Sequence, residues 1–195
     1  MHNKIGVRKI AYTALCTALI IVGGFVRFPI GAVPITLQTL FVLLAGSVCG
    51  SLVGALSSFI YIALGLIGLP IFSAGGGIMY VLYPTFGYLI SFVVAGFISG
   101  LAKKSLPKKI GANIGAVLVI HLIGVIYFYL MSNLYLKGLD TMHSSVMGNP
   151  IYEGTEISLW QAFLTGSLVF LPLDVLSAII SAIIGYKVEK IINKG

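Results

Sequence analysis

The sequence predicts an all-α integral membrane protein of six transmembrane helices, with both termini in the cytoplasm. Three observations carry this. The chain of 195 residues is 58% hydrophobic and 9% charged, against about 25% charged residues in soluble domains, and its mean hydropathy is +1.08. The 75 residues 28–102 carry no formal charge, several times the roughly 20 that one helix needs to cross the hydrocarbon. The cations also cluster: Lys4, Arg8 and Lys9 precede the first span, Lys103, Lys104, Lys108 and Lys109 share a short loop, and Lys187, Lys190 and Lys194 follow the last. Six helices put these clusters on one face and leave Arg27 and Lys137 on the other, so the positive-inside rule makes the clustered face cytoplasmic. Asp140, Glu153 and Glu156 gather in the opposite loop. The net charge of +7 is thus a topology signal and not a nucleic-acid footprint. Residues 1–195 read as a single membrane domain, with no soluble catalytic domain at either end.

Helix one covers about residues 10–26. It lacks an A-x-A-like cleavage site before Arg27 and further spans follow, so it reads as retained rather than as a signal peptide. Pro29 and Pro34 make residues 27–34 an outer loop. Helix two begins near Pro34, a favourable first residue, and reaches about Cys49; helix three continues to Ile67. A single helix over 34–67 would be about 50 Å long against a hydrocarbon core of about 30 Å, so the stretch must fold in two, at a turn over 47–51. Residues 68–83 hold Gly68-Leu69-Pro70 and Gly75-Gly76-Gly77 without a charge. An apolar, glycine-rich stretch at a helix end predicts a segment folded back over the bundle, buried or lining a cavity. Helix four covers 84–102, helix five 110–136 and helix six about 159–186, with 137–157 as a longer outer loop. Pro172 leaves the Leu168 carbonyl without a partner and predicts a bend just before Asp174. Ala14/Ala18, Gly46/Gly50/Gly54, Gly96/Gly100, Gly111/Gly115 and Ala178/Ala182 are spaced four apart, the pattern that lets helices approach closely in lipid. Ala14 and Ala18 either build the bundle or face a partner subunit.

Asp174 is the sole formal charge in residues 157–186. An aspartate near the bilayer centre costs about 2.5–3.5 kcal/mol on insertion scales, so either a ligand or a Ser, Tyr or Asn of a neighbouring helix must satisfy it. Thr36, Gln38 and Thr39 lie in the first turns of helix two, and Tyr80, Thr85 and Tyr88 around the start of helix four. Such aromatics serve as cavity walls or as interfacial anchors. Together with the bend at Pro172, these groups converge on the outer half of the bundle as a small-molecule pocket. The chain has no GxxxxGK[ST], HExxH, CxxC or GxSxG pattern, so no machinery for hydrolysis or phosphoryl transfer is visible and no cofactor or metal is implied. It reads as a binder or transporter and not an enzyme. His121, inside helix five, reads as a hydrogen-bonded structural histidine in preference to a ligand or proton relay. Cys16 and Cys49 read as small buried hydrophobes. A purely structural membrane subunit would account for the small-residue pairs but leaves Asp174, Gln38 and the glycine loop without a role.

Pro34-Ile-Thr-Leu-Gln-Thr-Leu40, Gly68-Leu-Pro-Ile-Phe72 with Gly75-Gly-Gly77, Tyr83-Pro-Thr-Phe-Gly-Tyr-Leu-Ile-Ser-Phe92 and Phe170-Leu-Pro-Leu-Asp174 resemble the signatures of the BioY family, in order and over nearly the whole chain. These are the biotin-binding S components of energy-coupling factor (ECF) transporters. The resemblance implies an ECF S-component-like bundle of six helices in the cell membrane, capturing biotin from outside. It also implies a membrane T component and two cytoplasmic ATPase subunits that power release inside. By position, Asp174 matches the family's helix-six aspartate, which would accept hydrogen bonds from the ureido N–H groups of biotin. Gln38, with Thr36 beside it, matches the PxTLQ glutamine, which serves the ureido ring or orders the loop. Gly75, Gly76 and Gly77 match a glycine gate that lets backbone approach the bicyclic ring, and Tyr80, Phe86 and Tyr88 would supply ring-packing faces. Ala14 and Ala18 resemble the AxxxA contact to the T component. Where the family's motif reads FLPGDxxK, this chain has Leu173 and Ser177. A ligand carboxylate then relies on backbone N–H groups, Arg27, Lys137 or water, and a related compound such as lipoate, dethiobiotin or another vitamin is the alternative substrate.

Overall fold

The computed structural model describes residues 2–28, 35–103, 105–136 and 156–192. The expected helix start at Pro34 and most of the outer loop, with Lys137, Asp140 and Glu153, lie outside the described residues, as does Lys104. A chain this apolar must satisfy its backbone internally, and helices do so segment by segment. The order is α1 (His2–Phe25), a two-residue antiparallel pairing of β1 (Arg27–Phe28) with β2 (Ile35–Thr36), α2 (Gln38–Cys49), α3 (Ser51–Leu66), a 3-10 turn (Ile78–Leu82), α4 (Phe86–Ser99), α5 (Leu106–Leu136), α6 (Leu159–Phe163), a π-helical turn (Leu164–Leu168) and α7 (Leu171–Ile192). Segments of α1, α5 and α7 (Gly6–Phe25, Leu106–Leu134 and Leu171–Ile191) are long and apolar enough to cross a membrane. Helices α2, α3 and α4 are equally apolar but only 12, 16 and 14 residues long.

Residues 35–67 fold in two, as their length requires, at Gly50, whose φ of +93° is a left-handed conformation that glycine reaches without steric cost. Glycine also sets the packing of α2, α3 and α4. A Cβ on Gly46 would stand 2.3 Å from the Gly96 carbonyl oxygen, and one on Gly100 would stand 2.2 Å from the Ser51 nitrogen. These helices therefore touch backbone to backbone. Ala178 and Ala182 are fully buried on α7. Gly111 and Gly115, by contrast, have nothing within 4 Å of an added Cβ, and Ala14 and Ala18 are exposed on α1. The Cys16 and Cys49 sulfurs lie 3.9 Å apart between α1 and α2, both as free thiols.

Two elements depart from expectation. Helix α5 starts at Leu106 rather than near residue 110, because Pro107 suits a first helical turn where its missing N–H has no partner to lose. Lys109 is consequently inside the helix and 2% exposed; its Nζ donates to the Ser47 carbonyl at 2.8 Å and lies 3.2 Å from Glu189 Oε2. This expected loop cation is instead a tie between helices. One turn on, Asn113 donates to the Ala178 carbonyl (3.0 Å) and Ser181 Oγ (2.8 Å) and accepts from Ser47 Oγ (3.1 Å). The second departure is the last span. The expected helix over 159–186 is interrupted: α6 and the π turn end at Leu168, and α7 restarts at Leu171. Pro172 does not bend a continuing helix but sits in the first turn of a new one, where its ring is tolerated. Asp174 therefore also lies in the first turn of α7, where the positive helix end stabilises a carboxylate by about 0.3–2 kcal/mol.

Candidate functional site

Between α3 and α4 the chain doubles back on itself. Phe72 and Gly75 exchange backbone hydrogen bonds (2.9 and 3.2 Å), and the Gly77 N–H reaches the Gly65 carbonyl at 2.7 Å. Gly75 and Gly77 have φ of +115° and +108°, and a Cβ on Gly76 would stand 2.1 Å from the Leu69 carbonyl oxygen. Glycine is required here for conformation at two positions and for space at the third. The turn drives the Phe72 ring onto Gly65 and into an aromatic cluster, with centroids 4.5 Å from Tyr80 and 5.4 Å from Tyr61. Ser73 Oγ and the Tyr80 hydroxyl are hydrogen-bonded at 2.9 Å, and the Arg27 guanidinium donates to the Ser73 carbonyl.

Beneath this segment lies a cavity of about 70 Å³ that widens into an open mouth. Thr36, Gln38 and Thr39 line it from β2 and the start of α2; Ser73 and Tyr80 come from the folded-back segment, Thr85 and Tyr88 from the start of α4. His121 comes from the middle of α5, and Gly166, Phe170 and Asp174 from the interrupted last span; Leu89, Phe92 and Ile120 add apolar wall. Helix starts and breaks thus supply most of the lining. Irregular backbone at membrane depth is tolerated where it lines such a cavity, and discontinuous helices of this kind build substrate sites in transporters.

Most polar side chains in the wall are already held. Gln38 donates from Nε2 to the Tyr61 hydroxyl at 2.7 Å and accepts at Oε1 from Thr36 Oγ1 at 3.3 Å. The Tyr88 hydroxyl donates to the Gly166 carbonyl, and its ring lies so close to Gly124 that a Cβ there would meet Cε1 at 2.2 Å. Asp174, 8% exposed, is different. Its Oδ2 lies 3.2 Å from His121 Nε2, but that nitrogen is buried and makes no aligned hydrogen bond among the described residues. The opposite ring nitrogen, Nδ1, is hydrogen-bonded to Ser167 Oγ at 2.7 Å. The wall therefore offers a carboxylate with acceptor capacity to spare, aromatic faces and few unengaged donors. Such a wall can accept hydrogen bonds from a group bearing N–H donors.

The structure brings Asp174, Gln38, Thr36, Tyr80 and Tyr88 into this one wall. Gly75, Gly76 and Gly77 stand outside it: their glycines serve the turn, and the segment faces the cavity through Ser73 and Tyr80. Phe86 also stands behind the wall, 4% exposed, with its ring against Phe72, Tyr80 and Tyr127. Reading the sequence alone missed His121 and Ser73 as wall residues. The signal for His121 was present, since an ionisable residue inside a span is a functional candidate by default. Its reading as a hydrogen-bonded structural residue captured the Ser167 contact but not the one to Asp174.

Fold and site define a class: a helical membrane protein whose short and interrupted helices enclose a small-molecule cavity. The chain belongs to the BioY family, whose profile matches residues 1–194. It is 35% identical to the biotin transporter BioY of Rhodobacter capsulatus over 91% of this chain and 90% of that one. With the biotin transporter BioY of Lactococcus lactis it shares 32% identity over 97% and 95%. A probable biotin transporter BioY of Lysinibacillus sphaericus is 44% identical over a shorter match, 64% of this chain and 66% of that protein. Among solved structures, the S component for biotin from an ECF-type ABC transporter superposes with a TM-score of 0.66 at 31% identity, over 97% of this chain and 95% of the other. The protein is a multi-pass protein of the cell membrane, from a family of transporters and not of enzymes.

Proposed function

We propose that the chain is the substrate-binding S component of an ECF-type transporter and that its ligand is biotin. The observation that carries this is the likeness to the solved S component for biotin over almost the full length of both chains, joined to a buried carboxylate in the cavity wall without an aligned donor among the described residues. The ureido ring offers two N–H donors and suits an acceptor of that kind; a hydrogen bond to a charged group contributes about 1.5–3 kcal/mol. In this reading the bicycle packs against Tyr80 and Tyr88. Gln38, already tied to Thr36 and Tyr61, acts mainly by holding the start of α2 in register. Arg27, donating to the Ser73 carbonyl at the rim, is the cation nearest to hand for the ligand carboxylate.

Binding and conformational gating are the whole of this chain's part; ATP hydrolysis belongs to partner subunits. A membrane T component and a pair of cytoplasmic ATPases complete the transporter in this proposal. The exposed Ala14 and Ala18 give α1 a smooth stripe for the T component. The end bearing Lys108, Lys109 and Lys187 faces the cytoplasm in six-span topology, and the cavity opens outward. Equilibrium binding of radiolabelled biotin to the purified protein tests the ligand. Saturable binding is expected, with competition by dethiobiotin, which keeps the ureido ring, stronger than by lipoate, which lacks it. No saturable binding, or stronger competition by lipoate, sinks the assignment.

A further inference from the structure

We propose that His121 is the positioning residue of the ligand site: it fixes Asp174 so that Oδ2 is occupied by the imidazole and Oδ1 is presented to the ligand. The inference rests on the biotin reading for the identity of the ligand, but the arrangement itself does not. Three side chains from three elements form a line. Ser167, in the π turn, is hydrogen-bonded to Nδ1 of His121 at 2.7 Å. His121, on α5 and 5% exposed, brings Nε2 to 3.2 Å from Asp174 Oδ2. Asp174 stands in the first turn of α7.

The tautomer follows from this geometry. A lone pair on Nε2 facing a carboxylate oxygen at 3.2 Å would be repulsive, so Nε2 carries the hydrogen and Nδ1 accepts from the Ser167 hydroxyl, the pairing by which one ring nitrogen sets the state of the other. The Nε2–H is not aligned for a full hydrogen bond among the described residues, but at 3.2 Å a small rotation of either ring or carboxylate completes it. No other charged side chain lines this cavity among the described residues; the further polar lining groups are Thr36, Gln38, Thr39, Ser73, Tyr80, Thr85 and Tyr88. The position that could have supplied an intrahelical partner, one turn along α7, is Ser177. His121 therefore does from α5 what α7 does not do for itself. The π turn has a purpose on this account, since it sets Ser167 against the ring.

Two measurements test this on the purified full-length protein. The first needs no ligand: infrared spectra with isotope-labelled aspartate, the Asp174 band being assigned by its loss in Asp174→Asn. His121→Phe, which keeps a planar ring but has no donor, is expected to shift the carboxylate band, whereas His121→Gln, whose amide can donate from a similar place, leaves it near the wild-type frequency. The second is biotin affinity. His121→Phe is expected to bind about tenfold or more weakly, the usual worth of a hydrogen bond to a charged group, and His121→Gln within about threefold of wild type. A band unmoved in His121→Phe overturns the proposal, as does equal loss of affinity in both variants. Absence of biotin binding by wild type removes the biotin reading alone, because the infrared result stands without ligand.

Discussion

A single methyl group on the far side of the cavity wall should impair binding without touching a ligand. In Gly124→Ala the new Cβ would stand 2.2 Å from Tyr88 Cε1 and 2.6 Å from Cζ, against ordinary contact at 3.4 Å or more. The ring must retreat by at least 1.2 Å, the difference between those distances. It cannot retreat freely, because its hydroxyl is tied to the Gly166 carbonyl, next to the Ser167 that holds His121. Overpacking of this kind costs about 1–3 kcal/mol, or roughly a 5- to 150-fold change in an equilibrium constant. The loss should appear in biotin affinity, with a lower melting temperature accompanying it. Gly115→Ala on the same helix is the control: nothing lies within 4 Å of its Cβ, and replacing a mid-helix glycine gains about 0.5–1 kcal/mol. Equal affinity and melting temperature in Gly124→Ala and wild type would refute the packing argument and the role of Tyr88 as a fixed wall.

Other perturbations separate stability from binding. Tyr61→Phe removes the acceptor of the buried Gln38 amide and should lower stability by about 1–3 kcal/mol, read as a drop in melting temperature. Asn113→Leu breaks the tie among Ser47, Ala178 and Ser181, about two turns of α5 from His121; melting temperature should fall while biotin affinity stays within about twofold. Ser167→Ala frees the His121 ring and should weaken biotin binding by about 2- to 10-fold, the worth of one neutral hydrogen bond. Ala14→Trp and Ala18→Trp, on the exposed face of α1, should leave biotin binding intact and abolish co-purification with a T component.

How far the chain alone foretold this arrangement depended on whether the deciding forces were local. The break at Gly50 was forced by length, since 34–67 exceeds the bilayer. The folded-back segment announced itself because glycines without charge have no reason to lie in water. Asp174 was conspicuous as a charge in an apolar span. The restart of the helix at Leu171 was not foreseeable in the same way. Pro172 suits a kink and a first turn alike, and the choice is made by the π turn that precedes it. His121 and Asp174 meet across two helices, so no window of sequence contains the pair. Lys109 was assigned to a loop by its charged neighbours, whereas its partners, Ser47 and Glu189, come from helices packed alongside it.

The central claim is that Asp174 accepts the N–H groups of the ligand in this cavity. Its most direct test is the dissociation constant of biotin for wild type against Asp174→Asn, a change that keeps the shape and removes the charge. Saturable wild-type binding that weakens by about 10- to 150-fold in Asp174→Asn is the predicted result, from about 1.5–3 kcal/mol for a hydrogen bond to a charged group. Equal affinity in the two proteins contradicts it.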